Sequence, residues 1–477
     1  MPALQAVHSG VLSPDGQLNA LESCVECKRT DLKVWTCVQC GHFTFCNDCW
    51  DKERPHKPGG TGIDNRPHEK ADPAVVERLE RIFGKGRTEE EQAELFDTDA
   101  DTMWFGVNKN TNGSFLDHSN RLIEIMLEGE NHDYRTSDRF PQLISFVGKT
   151  GEGVSTIIKM LIGRAQAGLG GPISFPAPVN GLTTDLIPNS GDVHLYADPA
   201  THHETHPLIF ADCEGLGGGE SAPRGKEYQD NSKRARRTIQ RRLHWAKDSQ
   251  TSSREFVVKR LFPRILYTFS DVVVFVIREA RPFQSDVLVD LVEWAYCSIE
   301  NVVNQPVLPH LIIALNRTDN AINKQQWDPE FATDMLLGAH QDITHTPELI
   351  NIVQNLRRSG RIVKSAKEFL ECFYRSITVV RIPTKGRYMQ IDNQIGKLYA
   401  AIRDRGTNSH TEKKSVRMAL NAERLHQFMN AAYEHFSADL DQPFNFAKEA
   451  LQLNPMPHDF QGHILHLILA ATFGLHM

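Results

Sequence analysis

The strongest constraint on the fold is the stretch from Gln142 to Thr156, which reads QLISFVGKTGEGVST. The apolar residues Leu143 to Val147 predict a short buried strand, which ends in a glycine-rich segment and is followed by a helical pattern from Thr156 to Ile162. A glycine-rich turn between a strand and a helix presents consecutive backbone N–H groups beside the positive end of the helix dipole. This layout predicts a phosphate-binding loop.

The loop departs from the usual pattern G-x-x-x-x-G-K-[ST] at one position, because Val154 stands where the lysine is expected. That lysine normally neutralises charge that develops on the phosphates during phosphoryl transfer, and valine cannot do so. Lys149, at the end of the strand, is a candidate substitute. The candidate phosphate-contacting residues are Gly148, Lys149, Gly151, Gly153, Val154, Ser155 and Thr156.

Composition excludes several classes of function. The chain has 477 residues, of which 40% are hydrophobic and 24% charged, which is typical of a soluble protein with a large core. With a net charge of −7, no global attraction to nucleic acid or anionic membranes is expected. We recognise no export signal and no apolar run of membrane-spanning length, so we expect a cytoplasmic protein, with a nuclear location also open.

Six of the nine cysteines fall between Cys24 and Cys49, and without an export signal this crowding favours metal over disulfides. Three C-x-x-C pairs and two histidines supply enough ligands for two tetrahedral Zn²⁺ sites. A segment of about 45 residues buries little core, so metal binding would supply its folding energy. The candidate ligands are Cys24, Cys27, Cys37, Cys40, Cys46, Cys49, His56 and His68.

The ligand spacing resembles that of the cross-brace B-box and ZZ zinc fingers. The resemblance implies a closed structural module over residues 20–70 that binds other proteins. It also implies interleaved ligands, although His42 or His8 could compete with His68 for the last position. The implied sets are Cys24, Cys27, Cys46 and Cys49 on one ion, and Cys37, Cys40, His56 and His68 on the other.

Beyond the glycine-rich loop, apolar β-branched segments alternate with helical patterns. Continuous apolar strands of this kind are typical of a parallel sheet that is covered by helices on both faces. We therefore predict an α/β domain with a mostly parallel sheet over residues 136–405. The predicted strands are Val193 to Tyr196, Leu208 to Phe210, Val272 to Ile277, Leu311 to Leu315 and Ile377 to Ile382.

The regions on either side of this domain are predicted to be simpler. Residues 71–135 are interpreted as a linker and helical lead-in, because an amphipathic pattern from Ala74 to Phe83 precedes an acidic run between Glu89 and Asp101. Residues 406–477 are predicted to form a helical C-terminal region, since apolar residues between Val416 and Leu453 keep helical spacing.

Asp212 and Gly215 follow the predicted strand that ends at Phe210. An aspartate at the carboxyl end of such a strand can hold Mg²⁺ through water, and a glycine three residues later lets a backbone N–H approach the γ-phosphate. The preceding segment, broken by proline and glycine, contains Thr183 and Thr184, either of which is a candidate for a switch threonine that contacts Mg²⁺.

Asn316, Arg317 and Asp319 lie at the end of another predicted strand. They match the N-K-x-D pattern that reads guanine, with arginine in place of lysine. The Asp319 carboxylate can accept hydrogen bonds from the N1 and N2 donors of guanine, which adenine does not offer. Arginine can stack on the base at least as well as lysine.

The order of these motifs resembles that of the large GTPases, and DCEGLGGGE is similar to an element of guanylate-binding proteins and atlastins. The finger joined to such a domain looks like zinc-finger and G-domain proteins found in fungal genomes. The resemblance implies a P-loop NTPase fold, GTP or GDP as ligand and a homodimer through the G domain. It places Ser155 on Mg²⁺, Asp212 in the water shell of that ion, and Asn316 and Asp319 on guanine.

A basic insert from Arg224 to Lys247 contains nine Lys or Arg and two acidic residues. It could donate an arginine to phosphates, dock an acidic protein partner or act as a nuclear-import patch, and an exposed helix face is the simpler alternative. Nucleic acid is an unlikely partner because interleaved aromatic residues are lacking.

Together these patterns favour a guanine-nucleotide-binding protein with a zinc-dependent protein-interaction module. If GTP is hydrolysed, Glu214 or a backbone carbonyl would position water, but the missing lysine leaves enzymatic activity open. One alternative is a pseudo-GTPase scaffold that needs no nucleotide. Another, suggested by the finger type alone, is an accessory module in ubiquitin transfer.

Overall fold

The computed structural model describes most of the chain. The described residues are 23–57, 59–62, 66–83, 88–169, 175–181, 191–219, 223–226, 238–278, 287–299, 307–338, 347–453, 455 and 459–473. Within this part of the chain, no helix combines the length and the apolar character needed to cross a membrane.

Strands and helices alternate along most of the described chain. The strands are β1 (Val34–Cys37), β2 (Phe43–Cys46), β3 (Met103–Asn110), β4 (Gly113–His118), β5 (Gln142–Gly148), β6 (Val193–Ala197), β7 (Leu208–Cys213), β8 (Ile239–Arg242), β9 (Val272–Ile277), β10 (His310–Thr318) and β11 (Ile377–Pro383). The α-helices are α1 (Asn47–Trp50), α2 (Pro73–Phe83), α3 (Glu89–Asp99), α4 (Arg121–Glu128), α5 (Val154–Leu169), α6 (Arg254–Phe269), α7 (Val287–Ile299), α8 (Pro329–Gly338), α9 (Pro347–Arg358), α10 (Ala366–Leu370), α11 (Tyr388–Ser415), α12 (Ala422–Ala438), α13 (Phe446–Leu453) and α14 (Phe460–Phe473).

The described residues form a nine-stranded sheet with the order β11-β10-β9-β5-β7-β6-β3-β4-β8. The strands from β11 to β7 are parallel to one another, and each of the remaining neighbours pairs antiparallel. The α/β class and all five predicted strands are confirmed, as β6, β7, β9, β10 and β11. The sheet is mixed, however, so the prediction of a mostly parallel sheet describes only one half of it.

Both faces of the sheet carry a hydrophobic core, as predicted. Along β5, Leu143 and Val147 pack on one face, whereas Ile144 and Phe146 pack on the other, because side chains alternate along a strand. The first core includes side chains of α4, α6, α7 and α12, and the second includes those of α2, α5 and α11. Since β5 is covered on both faces, all seven of its residues are buried.

The interpretation of residues 71–135 as a linker is wrong, because this segment contributes β3 and β4 to the sheet. The strand β4 escaped prediction because two of its inward positions are the buried polar residues Ser114 and His118, which break the apolar alternation. The acidic run forms α3, which begins with a capping box between Thr88 and Glu91 and buries Phe96.

Two further boundaries differ from prediction. The helix α11 runs from Tyr388 to Ser415, so the predicted domain boundary after residue 405 falls inside a continuous helix. Part of the basic insert forms β8, which pairs with β4 at the edge of the sheet, so the alternative of an exposed helix is wrong for residues 239–242. Residues 227–237 of this insert lie outside the described part of the chain.

Candidate functional site

The sheet has a topological switch point at β5. From β5 the chain goes to β6 and β7 on one side, and later builds β9, β10 and β11 on the other. Loops that leave the carboxyl ends of such strands diverge and open a crevice, where ligands of open α/β sheets bind. Every predicted nucleotide-contacting residue that the structure describes lies at this edge.

The predicted phosphate loop lies at this edge, directly after β5. Gly151 and Gly153 have φ values of +82° and +93°, a backbone conformation that residues with a side chain rarely adopt. The helix α5 begins directly afterwards at Val154, so Ser155 and Thr156 lie in its first turn. The loop therefore has the strand–turn–helix geometry that the sequence predicts, and the N-terminus of α5 faces the crevice.

The segment after β7 is bound to this loop. The N–H of Leu216 donates to the Gly148 carbonyl at 2.9 Å, and the N–H of Thr150 donates to the Leu216 carbonyl at 3.0 Å. A Cβ atom on Gly215 would lie 2.7 Å from the Cα of Thr150, so only glycine fits here. Asp212 is buried in β7, opposite Phe146 of β5. The structure thus brings Asp212 and Gly215 beside the predicted phosphate loop.

The predicted base-reading motif contacts the loop from the other side. The side-chain amide of Asn316 donates to the Glu152 carbonyl at 2.7 Å, and its oxygen accepts from the N–H of Arg317 at 2.9 Å. Asp319 is exposed in the loop after β10, where one carboxylate oxygen accepts from the N–H of Ala321 at 2.8 Å. Arg317 has a φ of +55°, which turns the chain between Asn316 and Asp319.

Arg278 is a residue of this site that sequence reasoning missed. It is the first residue after β9, and its guanidinium donates to the Gly151 carbonyl at 2.6 Å. The sequence feature that could have identified Arg278 is its position directly after the apolar run that forms β9. Burial raises the pKa of Glu152 in the loop, although Arg278, Lys149 and Arg317 oppose that shift. Three cationic side chains therefore act on the loop whose lysine is missing.

Val154 does not project into the crevice. Its side chain is 7% exposed and belongs to the core on the α5 face of the sheet. A Cβ atom on Gly148 would lie 3.0 Å from a methyl carbon of Val154, so this side chain packs against the start of the loop. The loop thus keeps its backbone form without the lysine, but gains no charge from this position.

Glu214 is held in a buried cluster with Asp192, Arg254 and Lys226. Its carboxylate accepts from Arg254 Nε at 3.0 Å and from the Asp192 N–H at 2.7 Å, and Arg254 also pairs with Asp192 at 3.1 Å. Lys226 completes the cluster at 3.2 Å from Asp192. Burial raises the pKa of Glu214 even beside Arg254. The water-positioning role of Glu214 stays a prediction, and it would require the carboxylate to leave this ion pair. Thr183 and Thr184 lie outside the described residues.

The cysteine-rich segment forms two ligand clusters on a two-stranded sheet of β1 and β2. In each cluster the four ligand atoms lie within 4.8 Å of one another. The clusters are the two sets that the resemblance implied: Cys24, Cys27, Cys46 and Cys49; and Cys37, Cys40, His56 and His68. The competitor His42 instead lies 3.8 Å from Glu80, and His8 is outside the described residues.

The distances in the clusters fit a tetrahedral zinc ion. With Zn–S bonds of about 2.3 Å and Zn–N bonds of about 2.0 Å, S···S edges are about 3.8 Å and S···N edges about 3.5 Å. The Sγ atoms of Cys27 and Cys46 lie 3.8 Å apart. His68 Nδ1 lies 3.3 Å from the Sγ atoms of both Cys37 and Cys40. Burial raises the pKa of Cys37 to about 12, so a thiolate there requires a balancing cation.

Comparison with protein-family models finds none that matches the chain. Comparison with curated proteins likewise finds no match.

Proposed function

We propose that this protein binds a guanine nucleotide in the crevice at the carboxyl end of β5. The observation that carries the proposal is the 2.7 Å hydrogen bond from the Asn316 side chain to the Glu152 carbonyl. It joins a phosphate loop to a base-reading loop that lies 164 residues further along the chain. A nucleotide needs both ends of its site within one molecular length, and this bond supports that spacing.

The phosphate end would be bound mainly by the main chain. Consecutive N–H groups of the loop and the first turn of α5 offer hydrogen bonds and a partial positive charge to an anion. Arg278 and Lys149 add positive charge next to the loop. Mg²⁺ would be held by Ser155 directly and by Asp212 through water, and when bound it would neutralise the phosphates.

Base selectivity would come from Asp319. Its carboxylate is exposed beyond the end of β10, so it can accept the two donors of guanine that adenine lacks. The positive φ of Arg317 turns the chain before Asp319 and leaves the arginine side chain exposed, where it can stack on the base.

Hydrolysis receives less support than binding. Valine occupies the lysine position, and Glu214 is engaged by Arg254. In this proposal the functional event is the binding of the nucleotide, and its hydrolysis is slow or absent. The zinc-stabilised finger would present a surface to partner proteins, because closed metal sites of this kind are structural and not catalytic.

A nucleotide-free scaffold is the second candidate function. The buried Val154 side chain favours it, because the loop keeps its shape without the residue that usually contacts the phosphates. Under this alternative the loop and its contacts serve only to connect the strand ends, and the finger would bind partners regardless of nucleotide.

Titration of the full chain with fluorescent GTP and ATP analogues tests the proposal. We expect GTP to bind in the presence of Mg²⁺ more tightly than ATP, and Asp319→Ala to weaken GTP selectively. Asp334→Ala, an exposed position on α8, is the matched control and should leave both affinities unchanged. If neither the wild-type chain nor Val154→Lys binds GTP, the scaffold function replaces the proposal.

A further inference from the structure

The zinc finger is attached to the same edge of the sheet as the proposed base site, and we infer that it positions the loops that would surround the base. This inference rests on the proposed function for its consequence, but its physical content is independent of nucleotide. Two loops are involved: residues 319–322, which follow β10 and contain Asp319, and residues 384–387, which follow β11. We name them the Asp319 loop and the Lys385 loop.

The finger contacts both loops directly. Arg66 donates a hydrogen bond to the carbonyl of Ile322 in the Asp319 loop. Gln39 Nε2 donates to the carbonyl of Gly386 in the Lys385 loop at 3.0 Å. In the opposite direction, Arg387 donates to the carbonyl of Pro67 at 2.6 Å. These contacts join residues more than 250 positions apart, so only the docked finger can make them.

Each finger residue in these contacts is a near neighbour of a metal ligand. Gln39 lies between the ligands Cys37 and Cys40, and Pro67 directly precedes the ligand His68. A tetrahedral metal site fixes the positions of its ligands to within a few tenths of an ångström, and the flanking residues follow. The metal that holds Cys37, Cys40 and His68 would therefore also set where Gln39 and Pro67 lie.

The finger also holds the start of α11, which follows the Lys385 loop. The carboxylate of Glu69 accepts from the N–H groups of Met389 and Gln390, each at 3.1 Å. These are N–H groups of the first helical turn, which have no partner inside a helix. Next to the ligand His68, Glu69 thus fixes the direction in which the chain leaves the Lys385 loop.

The two loops are coupled to each other as well. The N–H of Thr384 donates to the Thr318 carbonyl at 2.9 Å, and the side chain of Asn320 donates to the Thr384 carbonyl at 3.4 Å. A displacement of the Lys385 loop would therefore be passed to the residues on either side of Asp319. The finger therefore holds the Asp319 loop at Ile322 and the Lys385 loop at Gly386.

The finger cannot keep this arrangement without metal. Its buried core is small and its sheet has two strands of four residues each, and an isolated hairpin of this size is marginal in water. The free energy of metal binding is then the free energy of folding for such a module. Loss of the metal would release Gln39, Arg66 and Glu69 from the two loops, and the loops would gain conformational freedom that a bound base must remove again.

Hydrogen exchange on nucleotide-free protein tests the inference without reference to activity. We expect chelation of zinc, or Cys40→Ser, to speed exchange in residues 319–322 and 384–390. The phosphate loop and β5 should keep their protection. Lys52→Ala is the matched control in the finger, because the Lys52 side chain is exposed. It should leave both exchange and metal content unchanged.

A second variant separates positioning from folding. Gln39→Ala removes the bond to Gly386 and the bond that the Gln39 side chain accepts from the Glu69 N–H at 3.3 Å, and it keeps every metal ligand. We therefore expect full zinc content, faster exchange in the Lys385 loop and GTP affinity that falls by about tenfold. Unchanged exchange in both loops after zinc removal would overturn the inference, even if GTP binds. Failure of the wild-type chain to bind GTP would overturn the proposed function alone, since exchange still decides whether the finger holds the loops.

Discussion

Asn316 and Gly153 lie so close together that a single added methyl group would force them apart. A Cβ atom on Gly153 would lie 2.5 Å from Nδ2 of Asn316, the same nitrogen that donates to the Glu152 carbonyl. The predicted base-reading motif therefore packs directly on the predicted phosphate loop. Substitutions at this contact should therefore change the geometry of both the predicted phosphate loop and the predicted base-reading motif.

Gly153→Ala is expected to disturb this junction more than Gly151→Ala. Both glycines have positive φ, so both substitutions cost about 1 kcal/mol in backbone strain. Only the methyl group at Gly153 would collide with Asn316, whereas a Cβ at Gly151 has no atom within 4 Å. We expect Gly153→Ala to show the larger loss of GTP affinity and of stability in urea denaturation. Equal losses in both variants would show that the Asn316 contact contributes nothing.

Val154→Lys should restore the cation that the loop lacks. We expect tighter GTP binding and faster phosphate release, because the ammonium can neutralise charge on the phosphates. The same change should lower the stability of the protein by about 1–3 kcal/mol, since Val154 is packed in the core. Val154→Met, which adds length without charge, is the control and should not tighten binding. Stopped-flow measurement of phosphate release would detect the gain.

Cys40→Ser should abolish zinc binding at one of the two ligand clusters. The Sγ of Cys40 lies 3.4 Å from His56 Nε2 and 3.3 Å from His68 Nδ1, so it is central to that cluster. The Cys₄ cluster has no ligand in common with it. Elemental analysis of the purified variant should therefore find half the zinc of the wild type. Cys372→Ser, outside both clusters, should retain all of it, and equal zinc in both variants would contradict the assignment.

Arg254→Met should be strongly destabilising, by about 3–5 kcal/mol, because it leaves the buried carboxylates of Asp192 and Glu214 without a main partner. The matched control is Arg260→Met on the same helix, α6. Arg260 pairs with Glu293 at 2.8 Å but is 39% exposed, so its loss should cost under about 1 kcal/mol. Urea denaturation of the two variants gives the comparison, and similar losses would mean that the buried cluster adds little stability.

His118 should make the protein less stable in acid. Burial lowers its pKa to about 4, and the neighbouring Arg241 and His426 side chains shift it in the same direction. Its ring stacks on Tyr433, and Arg241 Nε donates to its Nε2 at 3.2 Å. The unfolded chain keeps the ordinary pKa of 6.5, so it binds the proton more readily than the folded chain. The contribution of neutral, buried His118 to the free energy of unfolding is therefore complete above pH 6.5 and is lost as the pH falls towards 4.

His118→Phe provides the measurement, because phenylalanine keeps the stacked ring and cannot take up a proton. Between pH 6.5 and 4, the free energy of unfolding of the wild type should fall more steeply with pH than that of the variant. The difference in slope should correspond to about one additional proton bound on unfolding. His202 and His310, whose pKa values burial also lowers to about 4, contribute equally to both proteins. Identical slopes would show that His118 has the same pKa in the folded chain as in the unfolded chain.

Local patterns predicted a large part of the fold. The strands β6, β7, β9, β10 and β11 were predicted from continuous apolar runs. Strands that are covered on both faces of a sheet must be apolar throughout. The strands β3, β4 and β8 were not predicted. They lie in the antiparallel part of the sheet. Ser114 and His118 of β4 face inwards and Ile239 of β8 is exposed, so neither of these strands shows an apolar pattern, whereas β3 was missed although Met103 to Val107 are buried.

The candidate site divides in the same way. The Asp212, Gly215, Asn316 and Asp319 positions were predicted because each directly follows an apolar strand and belongs to a short motif. The role of Arg278 was missed, since one arginine after a strand has no motif around it. The partner of Glu214 was missed because Arg254 lies 40 positions away, and ion pairing leaves no periodic pattern in a sequence.

The sequence alone supplied the eight candidate metal ligands, because paired C-x-x-C spacing is typical of tetrahedral zinc sites, whereas their division into two sets was implied only by the resemblance to cross-brace fingers. It also determined the glycine turn after β5, since positive φ requires glycine there. Only the tertiary structure decided that the finger docks on the loops after β10 and β11, and that Glu214 pairs with Arg254. Those contacts depend on which distant surfaces pack together, and such packing is a property of the whole folded chain.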